Sequence, residues 1–323
     1  MPRLFDEFDW IDRLKPLTRG DPRALGLADD VAVAPGEAGK DLVISKDAMV
    51  EGVHFLTGES PRLIARRLLR TALSDLAAKA ATPFGYFLMT AWPIGWSSRD
   101  QEGFIEGLRE DGEAFGVALL GGDTIVTPGP LTLSATVLGW TPSGRTILRS
   151  GARAGDDVMV CGVIGDGWLG LKAARGEIAD PDGRLAAHYR TPEPLFAVRD
   201  ALLSFATAAA DVSDGLLADV FNIARASGLG AEVELDLAPR SAEAAAWRDA
   251  QPDREAAAIA LATGGDDYAI VCAVAPENQA AFVRAVQLCG VPVACVGRFE
   301  GPPGLRVQLS GRPVQVGQLG WRH

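Results

Sequence analysis

The sequence predicts an α/β protein of two domains with mixed sheets, and three observations carry that prediction. Short β-branched runs alternate with helical stretches that have recognisable start and stop signals. The 323 residues exceed the size at which one hydrophobic core usually keeps growing. The segment from Thr141 to Asp157 is rich in Pro, Gly, Ser, Arg and Asp, the composition of a crossing between domains. The boundary is expected near residue 145, giving domains 1–145 and 146–323.

In the first half, Asp41 to Ser45 is a β-branched run. A helix from Ser60-Pro61 to about Lys79 follows, with Ser as N-cap and Pro at the first helical position. A second helix starts after Ser98 and runs to about Phe115, where Gly116 can stop it before the strand Val117 to Leu120. Leu131 to Trp140 alternates apolar residues with Thr and Ser, as a half-buried strand does. The second half restarts with the strand Asp157 to Cys161 and has helices beginning near Trp168, Pro194 and Leu216. Strands are expected at Ala231 to Leu237, Tyr268 to Ala275 and Val291 to Phe299. A helix from Pro276 to Cys289 separates the last two, and the Ala-rich stretch 242–262 is helical on either side of Pro252.

A net charge of −11 argues against a nucleic-acid partner, because binders of the phosphate backbone carry a basic face. No apolar stretch reaches the ~18 residues of a membrane span. Met1 to Trp10 holds three acids and no apolar run, so it reads as neither a secretory nor a transit segment. Cys161, Cys272, Cys289 and Cys295 form no CxxC pair and are expected as reduced, buried core thiols, which fits a cytoplasmic protein.

The chemically informative feature is a series of aspartates expected at strand ends or in short turns: Asp29-Asp30, Asp47, Asp75, Gly121-Gly122-Asp123, Asp211-Val212-Ser213-Asp214 and Gly264-Gly265-Asp266-Asp267. Any one of them is most simply a cap or turn residue. Their recurrence where α/β folds present ligand loops points instead to carboxylates gathered around divalent cations, and hard oxygen donors suit Mg²⁺. No Walker A sequence exists. The formal GxGxxG at Gly165 to Gly170 lacks the second strand and acid of a dinucleotide unit, so its glycines are expected to serve a tight turn into a helix. The three histidines have no metal-site spacing.

Taken with Ser45-Lys46-Asp47 running on to Glu51-Gly52-Val53-His54-Phe55, with Leu73-Ser74-Asp75-Leu76-Ala77 and with Leu148-Arg149-Ser150-Gly151-Ala152, these segments resemble the thiamine-monophosphate kinase family. That family lies in the superfamily of aminoimidazole ribonucleotide synthetase, and the resemblance runs from about Asp29 to Trp321. It implies the two-domain synthetase-like fold, a homodimer pairing N-terminal sheets, and direct in-line phosphoryl transfer from ATP to thiamine monophosphate with Mg²⁺. By motif, Asp30, Ser45, Lys46, Asp47, Asp75, Asp123, Asp211 and Asp214 correspond to metal ligands. Gly121, Gly122, Arg149 and Ser213 correspond to ATP contacts, and His54, Asp266 and Trp321 to contacts with the thiamine phosphate. Three positions depart from the family pattern: Lys46 stands for Thr, Ala28 for Gly and Asp266 for Glu. Lys46 leaves two readings open, a backbone carbonyl on the metal or an ammonium replacing one ion's charge. A ligase like aminoimidazole ribonucleotide synthetase, or a non-catalytic nucleotide-binding relative, are the alternatives.

Overall fold

The computed structural model describes residues 7–27 and 32–321 and divides the chain into two compact units, Met1–Leu76 with Ala81–Gly144, and Ala77–Ala80 with Arg145–His323.

The first unit begins with α1 (Glu7–Leu14) and continues through β1 (Lys40–Val50), α2 (Pro61–Ala78), β2 (Thr82–Pro93), α3 (Ser98–Phe115), β3 (Ala118–Thr127) and β4 (Thr132–Pro142). Its sheet has the order β1-β4-β2-β3, with β3 parallel to β2 and the other pairs antiparallel. The α3 start is sealed by a capping box between Ser97 and Asp100, and its end by Gly116 in the left-handed region. Two helices need close backbones to cover one small sheet. Gly107 of α3 allows this, since a Cβ there would overlap the Arg62 carbonyl of α2. The buried Asp111 accepts from Arg66 and Arg70 across the same helix pair.

The second unit contains β5 (Asp157–Cys161), α4 (Asp166–Ala174), α5 (Arg184–Arg190), α6 (Arg199–Phe205), β6 (Ala206–Val212), α7 (Leu216–Ala226), β7 (Gly230–Glu234), α8 (Ala242–Ala250), α9 (Arg254–Thr263), β8 (Ala269–Val274), α10 (Gln279–Leu288), β9 (Val293–Glu300), β10 (Gly304–Leu309) and β11 (Arg312–Pro313). The sheet order is β11-β10-β7-β9-β5-β8-β6, antiparallel except for β10 beside β7. Both faces of β5 and β8 are buried, which is why these strands are continuous apolar runs. The glycines at 165–170 do turn the chain into α4: Gly165 has φ 98°, and a Cβ at Gly167 or Gly170 would overlap a neighbouring carbonyl.

Several expectations need correction. Asp47 and Asp123 lie inside strands and Asp75 inside a helix, not at strand ends or in turns, whereas Asp211 does lie at the end of its strand, next to last in β6. β1, β3 and β6 are edge strands, and an edge tolerates Gly and Asp where a central strand would not. Cys289 is exposed at the end of α10, whereas Cys161 and Cys272 are buried. Among the described residues no helix is long and apolar enough to cross a membrane.

Candidate functional site

In the first unit the period of two along β1 sorts the candidates onto opposite faces. Ser45 and Asp47 face α2, where the Ser45 hydroxyl donates to the Asp75 carboxylate. Burial, and then the charge of Asp75, push the Asp47 carboxyl up to about 6. Two carboxylates and a hydroxyl so arranged form an oxygen-rich set with unrelieved like-charge repulsion, which a divalent cation relieves. Lys46 points the other way. It lines a cavity of about 560 Å³ together with Gly121, Gly122, Asp123, Thr136 and Trp10. As an ammonium it has donors and no lone pair, so only its carbonyl could ligate a metal.

Asp123 stands on β3, the opposite edge of the sheet from β1, three strand spacings or roughly 14 Å away along the sheet. Its carboxylate accepts from the Thr124 N–H at 2.8 Å. The preceding glycines are held by different neighbours. A Cβ at Gly122 would overlap the Leu88 carbonyl, whereas one at Gly121 would meet only the Phe87 ring, at 3.0 Å. His54 closes the turn after β1. Its Nδ1 accepts from the Val50 N–H at 3.0 Å, so a neutral ring carries its proton on Nε2.

In the second unit the candidates converge on one turn. Asp211 is the buried penultimate residue of β6, and Ser213 and Asp214 follow the strand's last residue, Val212. The Ser213 carbonyl accepts from the Asp266 N–H at 2.7 Å, and the Asp214 carbonyl from the Trp321 N–H at 2.8 Å. Asp266 and Tyr268 both hold positive φ, 67° and 51°, in a loop kept in place by these bonds. Trp321 is 57% exposed, so its ring is not part of a core. Arg149 is exposed, and its carbonyl accepts from Ser227 at 3.4 Å.

Two buried acids outside the predicted ligand set hold backbone in this region, Asp219 at this turn and Asp267 at the turn into α4. Asp219, in the first helical turns of α7, accepts from the Asp214 N–H at 3.2 Å. Burial, followed by Asp214, pushes its carboxyl up to about 7, and Arg149 lies near enough to oppose that rise. Asp267 is fully enclosed and accepts from the Gly165 and Gly167 N–H groups at 2.9 and 3.0 Å. Burial holds its carboxyl well above the ordinary range. The signal for Asp219 was an acid a few residues past a turn that opens a helix, a capping pattern read backwards. Asp30 lies outside the described residues. Among the described residues no three His, Cys, Asp or Glu side chains come close enough together to hold an ion by themselves.

Known proteins decide what this arrangement is related to. The family model described as "AIR synthase related protein, N-terminal domain" matches residues 28–141, and that of the C-terminal domain matches residues 153–310. A thiamine-monophosphate kinase of Caulobacter vibrioides is 56% identical over 318 residues, covering 98% of this chain and 90% of its own length. The chain belongs to the thiamine-monophosphate kinase family. The family member from Escherichia coli strain K12 is 35% identical over 308 residues, with 93% of this chain and 91% of that protein covered. The crystal structure of the Stenotrophomonas maltophilia thiamine-monophosphate kinase superposes with a TM-score of 0.83 at 32% identity, covering 96% of this chain and 98% of that one. A structure of AaThiL complexed with AMPPCP and TMP superposes with a TM-score of 0.78 at 26% identity over 100% of this chain and 99% of that one.

Proposed function

We propose that the protein transfers the γ-phosphoryl group of ATP to the phosphate of thiamine monophosphate, giving thiamine diphosphate and ADP. The observation that carries this reading is the end-to-end likeness to a kinase solved with AMPPCP and TMP, at 26% identity and TM-score 0.78. An acceptor phosphate oxygen attacks the γ-phosphorus, the bond to the β-phosphate oxygen breaks, and no covalent enzyme intermediate is needed.

On this reading Gly121, Gly122, Arg149 and Ser213 hold the nucleotide, Arg149 by charge and the glycines by letting the phosphates approach the backbone. His54 offers its Nε2 proton to the acceptor phosphate. Asp266 and the exposed Trp321 face bind the cationic thiamine moiety, the indole by cation–π attraction. Ser45, Asp47 and Asp75 fit Mg²⁺ by donor chemistry, and Lys46, Asp123, Asp211, Asp214 and Asp30 complete the proposed set, Lys46 through its carbonyl. Bound Mg²⁺ would neutralise charge that develops on the transferring phosphoryl group.

The proposal includes a homodimer. Leu42 and Ile44 lie 43% and 58% exposed on edge strand β1, and Ile125 lies 50% exposed on the opposite edge. A second copy would cover this apolar surface. Light scattering should then report twice 33.9 kDa, and a monomer at micromolar concentration would contradict the dimer. The need for ATP and the four free cysteines support a cytoplasmic location. The direct test is to mix purified protein with ATP, Mg²⁺ and thiamine monophosphate and to measure thiamine diphosphate and ADP. Formation of both in equal amounts, stopped by EDTA, is expected. No thiamine diphosphate from folded protein would overturn the reading.

A further inference from the structure

We infer that Asp219 is a positioning residue that fixes the Ser213–Asp214 turn and, through it, ties the nucleotide side of the site to the acceptor side. The inference rests on the roles proposed above for Ser213, Asp214, Asp266 and Trp321.

The geometry is a short chain of bonds with one rigid end. α7 is seated in the core by Leu216, Leu217, Val220 and Ile223, none of which is exposed, so a carboxylate on its first turns has a fixed position. Asp219 is 1% exposed and aims that carboxylate out of the helix at the Asp214 N–H, 3.2 Å away, while the Asn222 amide holds its other oxygen at 3.4 Å. The turn thus anchored offers its two carbonyls in succession. Ser213 accepts from Asp266, and Asp214 accepts from Trp321. No slack remains on either side: a Cβ at Gly265 would meet the Ser213 carbonyl at 2.6 Å, and one at Gly320 would overlap the Asp214 carbonyl. Two segments more than fifty residues apart in sequence therefore hang on one dipeptide, and that dipeptide hangs on one carboxylate.

If Asp219 merely started a helix, its loss would lower stability and leave ligand affinities alone. If it positions the turn, both ligands should suffer together, because the same two residues carry donor-side side chains and acceptor-side backbone bonds. The experiment compares wild type, Asp219→Ala and Asp219→Asn by calorimetric titration with AMPPCP and with thiamine monophosphate, each alone and with the other present, alongside melting temperature, kcat and KM. Asp219→Ala should weaken both ligands about tenfold or more, the effect of losing a hydrogen bond to a charged group. The factor by which one ligand tightens the other should fall towards one. Asp219→Asn, which keeps an oxygen for the Asp214 N–H, should stay within about threefold of wild type.

Unchanged affinities in Asp219→Ala, with or without a lower melting temperature, overturn the inference, as does a loss confined to one ligand. Should Asp219→Ala not fold, Gly320→Ala strains the same turn from the tail. The inference then requires AMPPCP affinity to fall along with that for thiamine monophosphate, and a loss for thiamine monophosphate alone overturns it. A wild-type protein that makes no thiamine diphosphate would sink the kinase reading, while the AMPPCP titrations would still decide whether Asp219 fixes the turn.

Discussion

In the first unit Asp47 and Asp75 are carried by the middle of a strand and the end of a helix, whereas in the second Asp214, Asp266 and Asp267 are carried by turns. A strand or helix sets the direction of a side chain by its own period, so Asp47 and Asp75 need no further partner to face each other. Their repulsion stays unrelieved, which is what suits them to the divalent cation proposed above. A turn sets no such direction. The second unit therefore spends buried carboxylates, Asp219 and Asp267, on backbone N–H groups to hold its loops. The lesson is that one unit leaves carboxylates free of backbone duty, as a cation site requires, and the other uses carboxyl oxygens as scaffold.

The strongest test of that contrast is Asp47→Asn. It should lower kcat at least about a hundredfold, the scale of losing one well-placed electrostatic group, while the melting temperature holds or rises because a buried charge, and with it the Asp75 repulsion, is gone. A coupled assay and a thermal melt read both, and retained turnover with a collapsed melt would reverse the roles of the two units. Next in size is Trp321→Ala, expected to raise KM for thiamine monophosphate about tenfold with KM for ATP little changed. Truncating the indole leaves the Trp321 N–H on the Asp214 carbonyl, so equal losses for both substrates would mean the ring braces the turn.

Asp267→Asn should act on stability. Burial foremost holds Asp267 far above its ordinary 3.8, the Gly167 and Gly165 N–H groups oppose this, and Asp166 and Asp266 add to it. With the folded-state value above the unfolded one, the penalty is absent below about pH 4 and grows as pH rises towards the folded value. The amide keeps an oxygen for Gly165 and Gly167 without the charge. Its gain in Tm over wild type should be negligible near pH 4 and widen to a few degrees at neutral pH, about 2–4 °C per kcal/mol for a unit of this size. A gain independent of pH would show that ionisation is not the cause. The smallest effect belongs to Arg109, whose ion pairs with Glu106 and Glu113 are exposed on α3: Arg109→Ala should leave melting and kinetics within error.

Much of the fold was legible because its signals are local. Pro61 starts α2, Gly116 stops α3 and Pro252 divides α8 from α9 as expected, while α3 begins at Ser98, one residue before its expected start, with Ser97 as its cap. β2 was not foreseen. It is buried on both faces over most of its length, so it shows no alternation, and Pro83 and Gly85 read as breakers until the register shift beside them is seen. The site was legible as a set of motifs and not as an arrangement. The sequence places Ser45, Lys46 and Asp47 together, and only the strand period turns Lys46 away from its neighbours. Asp219 escaped because its only mark in the sequence, an acid a few residues past a helix-opening turn, is shared by ordinary capping residues, and its partner is a backbone N–H that any residue supplies.

The glycine pair at 121 and 122 has a consequence for how ancestry should be read in this family. Gly122 is required by the Leu88 carbonyl beside it, so a descendant that had lost all phosphate chemistry would still keep it to preserve the sheet. Gly121 faces only the movable Phe87 ring, and once selection for a ligand lapsed it would be free to drift to alanine. The first glycine is therefore the position at which a lapsed lineage would betray itself, and the second would persist as a fossil of the architecture.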